Sequence, residues 1–176
     1  MKTIYLFIVS VLLSGLLSCE NQEQDKKSKH VDKHVLKEHL INTNKHLVKF
    51  EEQNIKDFIE RYGYKMMETG SGLYYEIYKK GNGLKAEKGK IAELEFNIRL
   101  LNGETIYRSE NKGIKEFLIG KGGVESGLEE GILLLHQGDK ARFIIPSHLA
   151  FGLLGDSDKI PEKASLVYDV ELIKIK

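Results

Sequence analysis

The sequence predicts an α+β fold, in which an antiparallel sheet packs on one short helix and a longer helix precedes the sheet. Three observations predict it. After Gly63 the chain consists of short β-rich runs that are broken by glycines. One helical pattern, at 124–138, interrupts those runs, and apolar residues at helical spacing between 44 and 62 come before the first strand.

The first residues have the pattern of a secretory signal peptide. Lys2 is followed by an apolar run from Ile4 through Leu17, which is shorter than the roughly 20 residues of a membrane span. The single cysteine, Cys19, follows Leu-Leu-Ser, and this resembles the lipobox at which bacterial lipoproteins are cut and acylated. We therefore predict a lipoprotein signal peptide at 1–18 and a lipid on Cys19. The alternative is an ordinary signal peptide followed by a free thiol.

The composition of the remaining chain divides it into a tether, a helical extension and one domain. Without residues 1–18 it has 26 basic and 26 acidic residues, so no basic face for nucleic acid is expected. Residues 19–43 carry mixed charges and few apolar groups, which predicts a flexible tether. Residues 44–63 are predicted to be an amphipathic helical extension that ends at its glycine, and it either covers the domain or forms a dimer. Residues 64–176 are predicted to form one domain.

The strands of that domain are each bounded by turn residues. The predicted strands are 73–79, 90–101, 104–109, 115–120, 140–146 and 165–176. Asn102-Gly103 predicts a two-residue hairpin turn with positive φ at both positions. The short helix has Leu128, Ile132 and Leu135 on one face and Gly138 beyond its end.

The last strand is predicted to be a central one because its residues alternate. One face is continuously apolar and consists of Leu166, Tyr168, Val170 and Leu172. The other face is mixed and is expected to be only partly covered; it consists of Val167, Asp169, Glu171, Ile173 and Ile175.

The sequence lacks residues that several kinds of functional site require. The segment GKGGVESG at 120–127 lacks the Gly-Lys-Ser/Thr end of a phosphate loop. Asp156-Ser-Asp begins like a calcium loop but lacks the glycine and the glutamate of one. His30 and His34 have no third ligand for a metal. No hydrolase signature is present, and we expect neither a metal nor a cofactor.

The order of elements resembles the FKBP-type peptidyl-prolyl isomerases from about residue 72 to the end. The resemblance is carried by NGETIYRS, FLIGKGGVESGLEEGILLLHQGDKARFIIPSHLAFG and IPEKASLVYDVELIKIK. The lipobox, the helical extension and TGSGLYYEIYKKGNG at 69–83 resemble more narrowly the FKBP-type lipoproteins associated with bacterial gliding motility. The family resemblance implies an antiparallel sheet wrapped around the short helix, with an apolar pocket between them.

The resemblance also implies which residues line the substrate pocket. They are Phe96, Ile106, Tyr107, Phe117, Val124, Glu125, Leu128, Phe151, Ile160 and Tyr168. The backbone N–H of Glu125 is expected to donate to a substrate carbonyl. No residue is assigned a covalent catalytic role, because rotation about an X-Pro bond needs no nucleophile.

Several pocket positions depart from the family. Tyrosine is usual where this chain has Phe96 and Phe151, Phe-Asp where it has Ile106-Tyr107, and tryptophan where it has Leu128. The aspartate and the second tyrosine orient substrates and macrolide ligands, so weak activity and weak macrolide binding are expected. The Tyr107 hydroxyl is an alternative contact to the substrate.

Two functions are consistent with these features. The first is an isomerase, lipid-anchored in the bacterial cell envelope and facing the periplasm, that binds proline-containing or apolar segments of exported proteins and assists their folding. The second is a non-enzymatic chaperone or a structural component of a gliding-motility machine that uses the same groove for binding.

Overall fold

The structure is a computed structural model that describes residues 33–176. Residues 41–176 form one compact unit, and residues 33–40 form the first part of a helix. The predicted signal peptide, Cys19 and the tether up to residue 32 lie outside the described residues. In the part of the chain that the structure describes, no helix is long and apolar enough to span a membrane.

The first helix, α1 (Lys33–Tyr62), begins well before the predicted start at residue 44. Residues 33–43 of the predicted tether are therefore helical. No glycine or proline interrupts α1, so the backbone meets no helix breaker along its length. Low apolar content means that a segment buries little surface. It does not prevent the segment from forming a helix.

Seven strands form one sheet with the order β1-β2-β6-β7-β3-β4, and β5 pairs with β3. All of the pairings are antiparallel. The strands are β1 (Met67–Glu68), β2 (Tyr74–Lys79), β3 (Ile91–Leu100), β4 (Thr105–Arg108), β5 (Lys115–Leu118), β6 (Lys140–Ile145) and β7 (Leu166–Ile175). Within residues 33–176, three short helical segments complete the fold: α2 (Ser109–Lys112), α3 (Ser126–Ile132) and a 3₁₀ turn (Ser147–Leu149). The sequence pattern predicts α3 but not β1, α2 or the 3₁₀ turn.

The last strand, β7, is central, as its alternation predicts. It pairs with β6 on one side and with β3 on the other. Its predicted apolar face, which includes Tyr168 and Leu172, is buried in the main core. Ile175 was placed on the opposite face but also lies in this core. The reason is a β-bulge between Glu93 and Leu94, where the register shifts and the side-chain alternation of β7 changes.

The β3–β4 hairpin differs from the predicted two-residue turn. Strand β3 ends at Leu100 and β4 begins at Thr105, so four residues connect them. Gly103 has a φ of +91°, whereas Asn102 has no positive φ. The amide of Gly103 donates to the carbonyl of Leu100 at 3.0 Å, and the loop is followed by a register shift. The glycine alone supplies the left-handed position.

The two faces of the sheet pack on different helices. The main core lies between one face and α3, whose Leu128 and Ile132 are completely buried. On the other face, Ile55 and Phe58 of α1 pack with Val167, Tyr74 and Ile144. The N-terminal half of the predicted amphipathic face does not pack in the same way, since Leu47 is 42% and Val48 is 58% exposed.

Candidate functional site

The predicted pocket residues come together on the α3 side of the sheet. Six of them are buried in the main core: Phe96, Ile106, Phe117, Leu128, Ile160 and Tyr168. Three others are partly buried and pack against this cluster, namely Tyr107, Val124 and Phe151. The cluster therefore has an aromatic and aliphatic interior, and its partly exposed members form its edge.

Strand register places the aromatic side chains on one face. Ile98 of β3 lies opposite Tyr168 of β7, and Phe96 lies opposite Val170. Since alternate residues of a strand share a face, Phe96 and Tyr168 both point toward α3. Phe117 joins them from β5, where it pairs with Ala92.

Glu125, the N-cap residue of α3, brings a carboxylate into this apolar cluster. The hydroxyl of Tyr168 donates to Glu125 Oε1 at 2.8 Å. Burial, together with the negative charge of Glu125, raises the pKa of Tyr168 well above its usual value. The family resemblance implies a role for the Glu125 backbone N–H alone, and no local sequence signal points to this contact of its side chain.

The second carboxylate oxygen of Glu125 is less well satisfied. Oε2 is buried and has no hydrogen-bond partner among the described residues. The Lys115 ammonium lies 3.9 Å from it and 5.6 Å from the centre of the Phe96 ring. A cation at this distance offsets the charge but does not replace a hydrogen bond.

The Tyr107 hydroxyl is engaged by the loop that follows β6. It donates to Asp156 Oδ2 at 2.5 Å and lies 3.1 Å from Asp158 Oδ2. These hydrogen bonds, chiefly the one to Asp156, raise the pKa of Tyr107 far above its usual value. For this hydroxyl to donate to substrate, it must first leave Asp156; its oxygen is still an acceptor while that bond is kept.

Asp156 organises the loop around Tyr107. Its Oδ1 accepts the backbone N–H groups of Asp158, Lys159 and Ile160 at 3.0, 2.9 and 2.7 Å. Partial burial tends to raise the pKa of Asp156, but the hydrogen bonds from Tyr107 and these amides outweigh it and lower the pKa to about 2. The segment that begins like a calcium loop is therefore a capped turn that holds the pocket residue Ile160.

Beside Tyr107 is a small polar cavity of about 280 Å³. Two lysine ammonium groups approach the Tyr107 ring, Lys112 at 5.1 Å and Lys159 at 5.8 Å from its centre. The cavity is lined by Thr105, Ile106, Tyr107, Arg108, Asn111, Lys112 and Lys159. Around Tyr107, the edge of the predicted pocket thus carries both lysine ammonium groups and the Asp156 and Asp158 carboxylates.

A larger cavity of about 710 Å³ lies between α1 and the loops that precede β4 and β7. We call it the α1 groove. It contains the exposed apolar side chains of Phe50 and Leu153, which are 68% and 70% exposed. The other lining residues are Asn44, Leu47, Val48, Glu51, Asn54, Leu100, Leu101, Asn102, Ser147, His148, Pro161, Glu162, Lys163, Ala164 and Ser165.

Within residues 33–176, no group of three or more histidine, cysteine, aspartate or glutamate side chains is arranged to hold a metal. The main cluster itself offers apolar walls, the Glu125 carboxylate and the nearby Lys115 ammonium.

Comparisons with known proteins agree with this geometry. The family model of the FKBP-type peptidyl-prolyl cis-trans isomerases matches residues 83–173. The probable FKBP-type peptidyl-prolyl cis-trans isomerase FkpA of Neisseria meningitidis serogroup B is 36% identical over 153 residues, which are 86% of this chain and 53% of that protein. The chain thus spans about half the length of this relative.

Two solved structures share the fold. The crystal structure of AtFKBP13 superposes with a TM-score of 0.61 and 31% identity, covering 64% of this chain and 99% of that one. The crystal structure of FkpA from Escherichia coli superposes with a TM-score of 0.64 and 22% identity, covering 100% of this chain and 82% of that one. The predicted antiparallel sheet with its short helix and preceding helix is confirmed as an FKBP-like fold. By its family model and its relatives, the chain belongs to the FKBP-type peptidyl-prolyl cis-trans isomerase family.

Proposed function

We propose that this protein is an envelope-anchored peptidyl-prolyl isomerase that acts on proline-containing segments of exported proteins. The observation that carries the proposal is the apolar cluster on the α3 side, where Tyr107, Val124 and Phe151 form a partly open edge above buried aromatic rings. A proline ring is an apolar group of suitable chemistry for such a site. The family membership supports the same reaction.

The proposed mechanism is preferential binding of the twisted amide. Uncatalysed rotation of an X-Pro bond takes roughly tens to hundreds of seconds, because amide resonance must be broken. A twisted amide has lost resonance and charge separation, so an apolar site stabilises it relative to the planar amide. Here Phe96, Phe117 and Tyr168 supply the apolar surroundings, and the Glu125 backbone N–H is proposed to hold the substrate carbonyl.

We further propose that activity is weak. Phe151 cannot donate the hydrogen bond that a tyrosine donates, a loss of about 0.5–1.5 kcal/mol. If that bond strengthens only in the transition state, the loss corresponds to at most about a tenfold lower rate. The Tyr107 hydroxyl, held by Asp156 and Asp158, is poorly placed to substitute for it.

An isomerisation assay with proline tetrapeptides tests both parts of this proposal. The Phe151→Tyr variant is expected to raise kcat/KM by up to about tenfold. Tyr78→Phe is the matched control. It also changes one hydroxyl, but the Tyr78 ring lies against Arg142 of β6 and not in the apolar cluster. If the wild type neither turns over nor binds the peptide, the proposed isomerase function is refuted. Robust wild-type turnover would refute the proposal that activity is weak.

Changing Tyr107 to the aspartate that is usual in the family is a poor test. The new carboxylate would lie near Asp156 and Asp158, where like charges repel. Tyr107→Phe removes the hydroxyl without adding charge and is the cleaner variant.

A second function, that of a chaperone which holds apolar segments of unfolded exported proteins, is favoured by the α1 groove. Phe50 and Leu153 expose apolar surface on two sides of this groove. Replacing both by serine is expected to reduce suppression of aggregation while peptide isomerisation stays unchanged. Equal suppression by the variant and the wild type would contradict a holding role for the groove.

The anchor and a role in gliding motility extend the proposal. The Leu-Leu-Ser-Cys sequence supports a lipid on Cys19 and a location in the envelope facing the periplasm. Cys19→Ser is expected to leave a soluble or unprocessed protein, and unchanged membrane fractionation and mature mass would contradict the lipid. The narrower resemblance at 69–83 supports the motility role, which a deletion strain scored for surface motility tests.

A further inference from the structure

The carboxylate of Glu51, in the middle of α1, binds two serines that are distant in sequence. Its Oε1 accepts the Ser147 backbone N–H at 2.6 Å and the Ser165 hydroxyl at 2.6 Å. Its Oε2 accepts the Ser147 hydroxyl at 3.0 Å. Both serines are almost completely buried, with 9% and 7% exposed. One carboxylate thus accepts three hydrogen bonds from two buried serines, at the lining of the α1 groove.

The two serines bracket the segment 148–164, which we call the pocket loop. A connection of this length with little regular structure is uncommon in compact domains and is often functional. The pocket loop carries Phe151 and Ile160 of the apolar cluster and Asp156, which binds the Tyr107 hydroxyl. Glu51 therefore contacts both ends of the segment that forms one wall of the pocket.

Other contacts hold the pocket loop without involving α1. The β6–β7 ladder pairs Ile145 with Leu166 just outside the loop, and the Ser126 hydroxyl of α3 donates to the Leu149 carbonyl at 3.3 Å. The Gly152 amide donates to the Ser147 carbonyl at 2.8 Å, and the Lys163 amide donates to the Gly152 carbonyl at 2.9 Å. These bonds fold the loop on itself, but they do not join it to α1. The hydrogen bonds of Glu51 provide the connection to α1.

The part of α1 that carries Glu51 is itself fixed. Ile55 and Phe58 follow at four and seven residues, so they lie on the same side of the helix, and each is 1% exposed. Glu51 is therefore held on a rigid helix. A residue on a rigid element can position the pocket loop more accurately than a residue on another loop.

We infer that Glu51 is a positioning residue of the proline pocket, which ties both ends of the pocket loop to α1 and so sets the places of Phe151 and Ile160. This inference rests on the proposed isomerase function. It makes α1 part of the machinery of the pocket. Without the carboxylate, the β6–β7 ladder still pairs Ile145 with Leu166, but the loop loses its hydrogen bonds to α1, and substrate binding must then order the loop again.

The test compares four full-length proteins: the wild type, Glu51→Ala, Glu51→Gln and Glu60→Ala. Glutamine keeps a carbonyl oxygen for the Ser147 amide and the Ser165 hydroxyl, and its NH₂ group can donate to the Ser147 hydroxyl. Glu60 is an exposed glutamate of the same helix and serves as the matched control. Hydrogen exchange of 148–164 and the Kd and kinetic constants of a proline tetrapeptide are measured, all below the unfolding transition.

Glu51→Ala is expected to lose exchange protection in the pocket loop and to raise Kd and KM by about tenfold, the equivalent of roughly one hydrogen bond, with kcat little changed. Glu51→Gln is expected to stay within about threefold of the wild type, and Glu60→Ala to match it. If Glu51→Ala does not fold, Ser165→Ala removes one of the contacts from the loop side and is expected to change exchange and Kd in the same direction.

Two results would overturn the inference. One is a Glu51→Ala protein with a lower Tm but an unchanged Kd and unchanged loop exchange, which would make the contact merely structural. The other is a Glu51→Gln protein as impaired as Glu51→Ala, which would show that the charge and not the hydrogen-bond geometry matters. If the wild type neither binds nor isomerises proline peptides, the proposed function fails, and hydrogen exchange still decides whether Glu51 orders the loop.

Discussion

Two phenylalanines of α1 provide a matched test of how this helix contributes to stability. Phe58 is 1% exposed and packs with Tyr62 and Tyr64, whose ring centres lie 4.5 and 6.0 Å away. Phe50, eight residues earlier, is 68% exposed. Replacing a buried phenylalanine by alanine costs about 3–5 kcal/mol, because apolar contacts are lost and a cavity remains. An exposed substitution changes stability by about 0.5 kcal/mol or less.

Phe58→Ala is therefore expected to lower the free energy of unfolding by about 3–5 kcal/mol, which is about 10–15 °C in Tm. Phe50→Ala is expected to leave both nearly unchanged. Urea and thermal unfolding followed by circular dichroism measure the difference, and sedimentation equilibrium measures the mass. An effect of Phe58→Ala below about 1 kcal/mol would refute docking of α1 on the sheet. A dimer that becomes a monomer in Phe50→Ala would favour the interaction role of the helix instead.

Two further predictions concern the pocket loop and the core. Because the folded-state pKa of Asp156 is lowered to about 2, its ionised form contributes stability above its unfolded pKa of about 4, and this contribution is lost as pH falls toward 2. The stability difference between wild type and Tyr107→Phe in urea titrations should thus be constant above about pH 4 and shrink below it, whereas a pH-independent difference would contradict the role of Asp156. Gly131→Ala should destabilise by about 1–3 kcal/mol, because its Cβ would lie 2.8 Å from ring carbons of the buried Phe143. Gly70→Ala, which meets no atom within 4 Å, is the control, and equal urea midpoints for the two variants would contradict the close packing.

Features that depend on local pattern could be predicted from the sequence. The alternation of β7 identified it as a buried central strand, because side chains of opposite polarity at alternate positions need opposite surroundings. The spacing of Leu128, Ile132 and Leu135 identified the buried face of α3 and of the turn after it. The family resemblance brought the ten pocket positions together, and their role in binding substrate stays a prediction.

Features that depend on distant partners could not be predicted. The contact of Glu51 with Ser147 and Ser165 joins residues that are 96 and 114 positions apart, and it leaves no local periodicity. The role of the Glu125 side chain could not be predicted for the same reason, since its partner Tyr168 lies on β7, 43 positions later. The inward position of Ile175 depends on a bulge, which one extra residue creates without a distinctive sequence.

The central place of β7 also constrains when the domain can fold. β2 and β6 lie on one side of it, and β3, β4 and β5 lie on the other. Until β7 joins the sheet, no backbone hydrogen bonds link these two groups of strands, and their apolar side chains stay exposed to solvent. The pairing of Ala92 with Ile175 closes a long stretch of chain, so the sheet is expected to assemble late and in one cooperative step. A chain that lacks β7 is therefore expected to remain unfolded, with the apolar residues of both groups of strands exposed to aggregation.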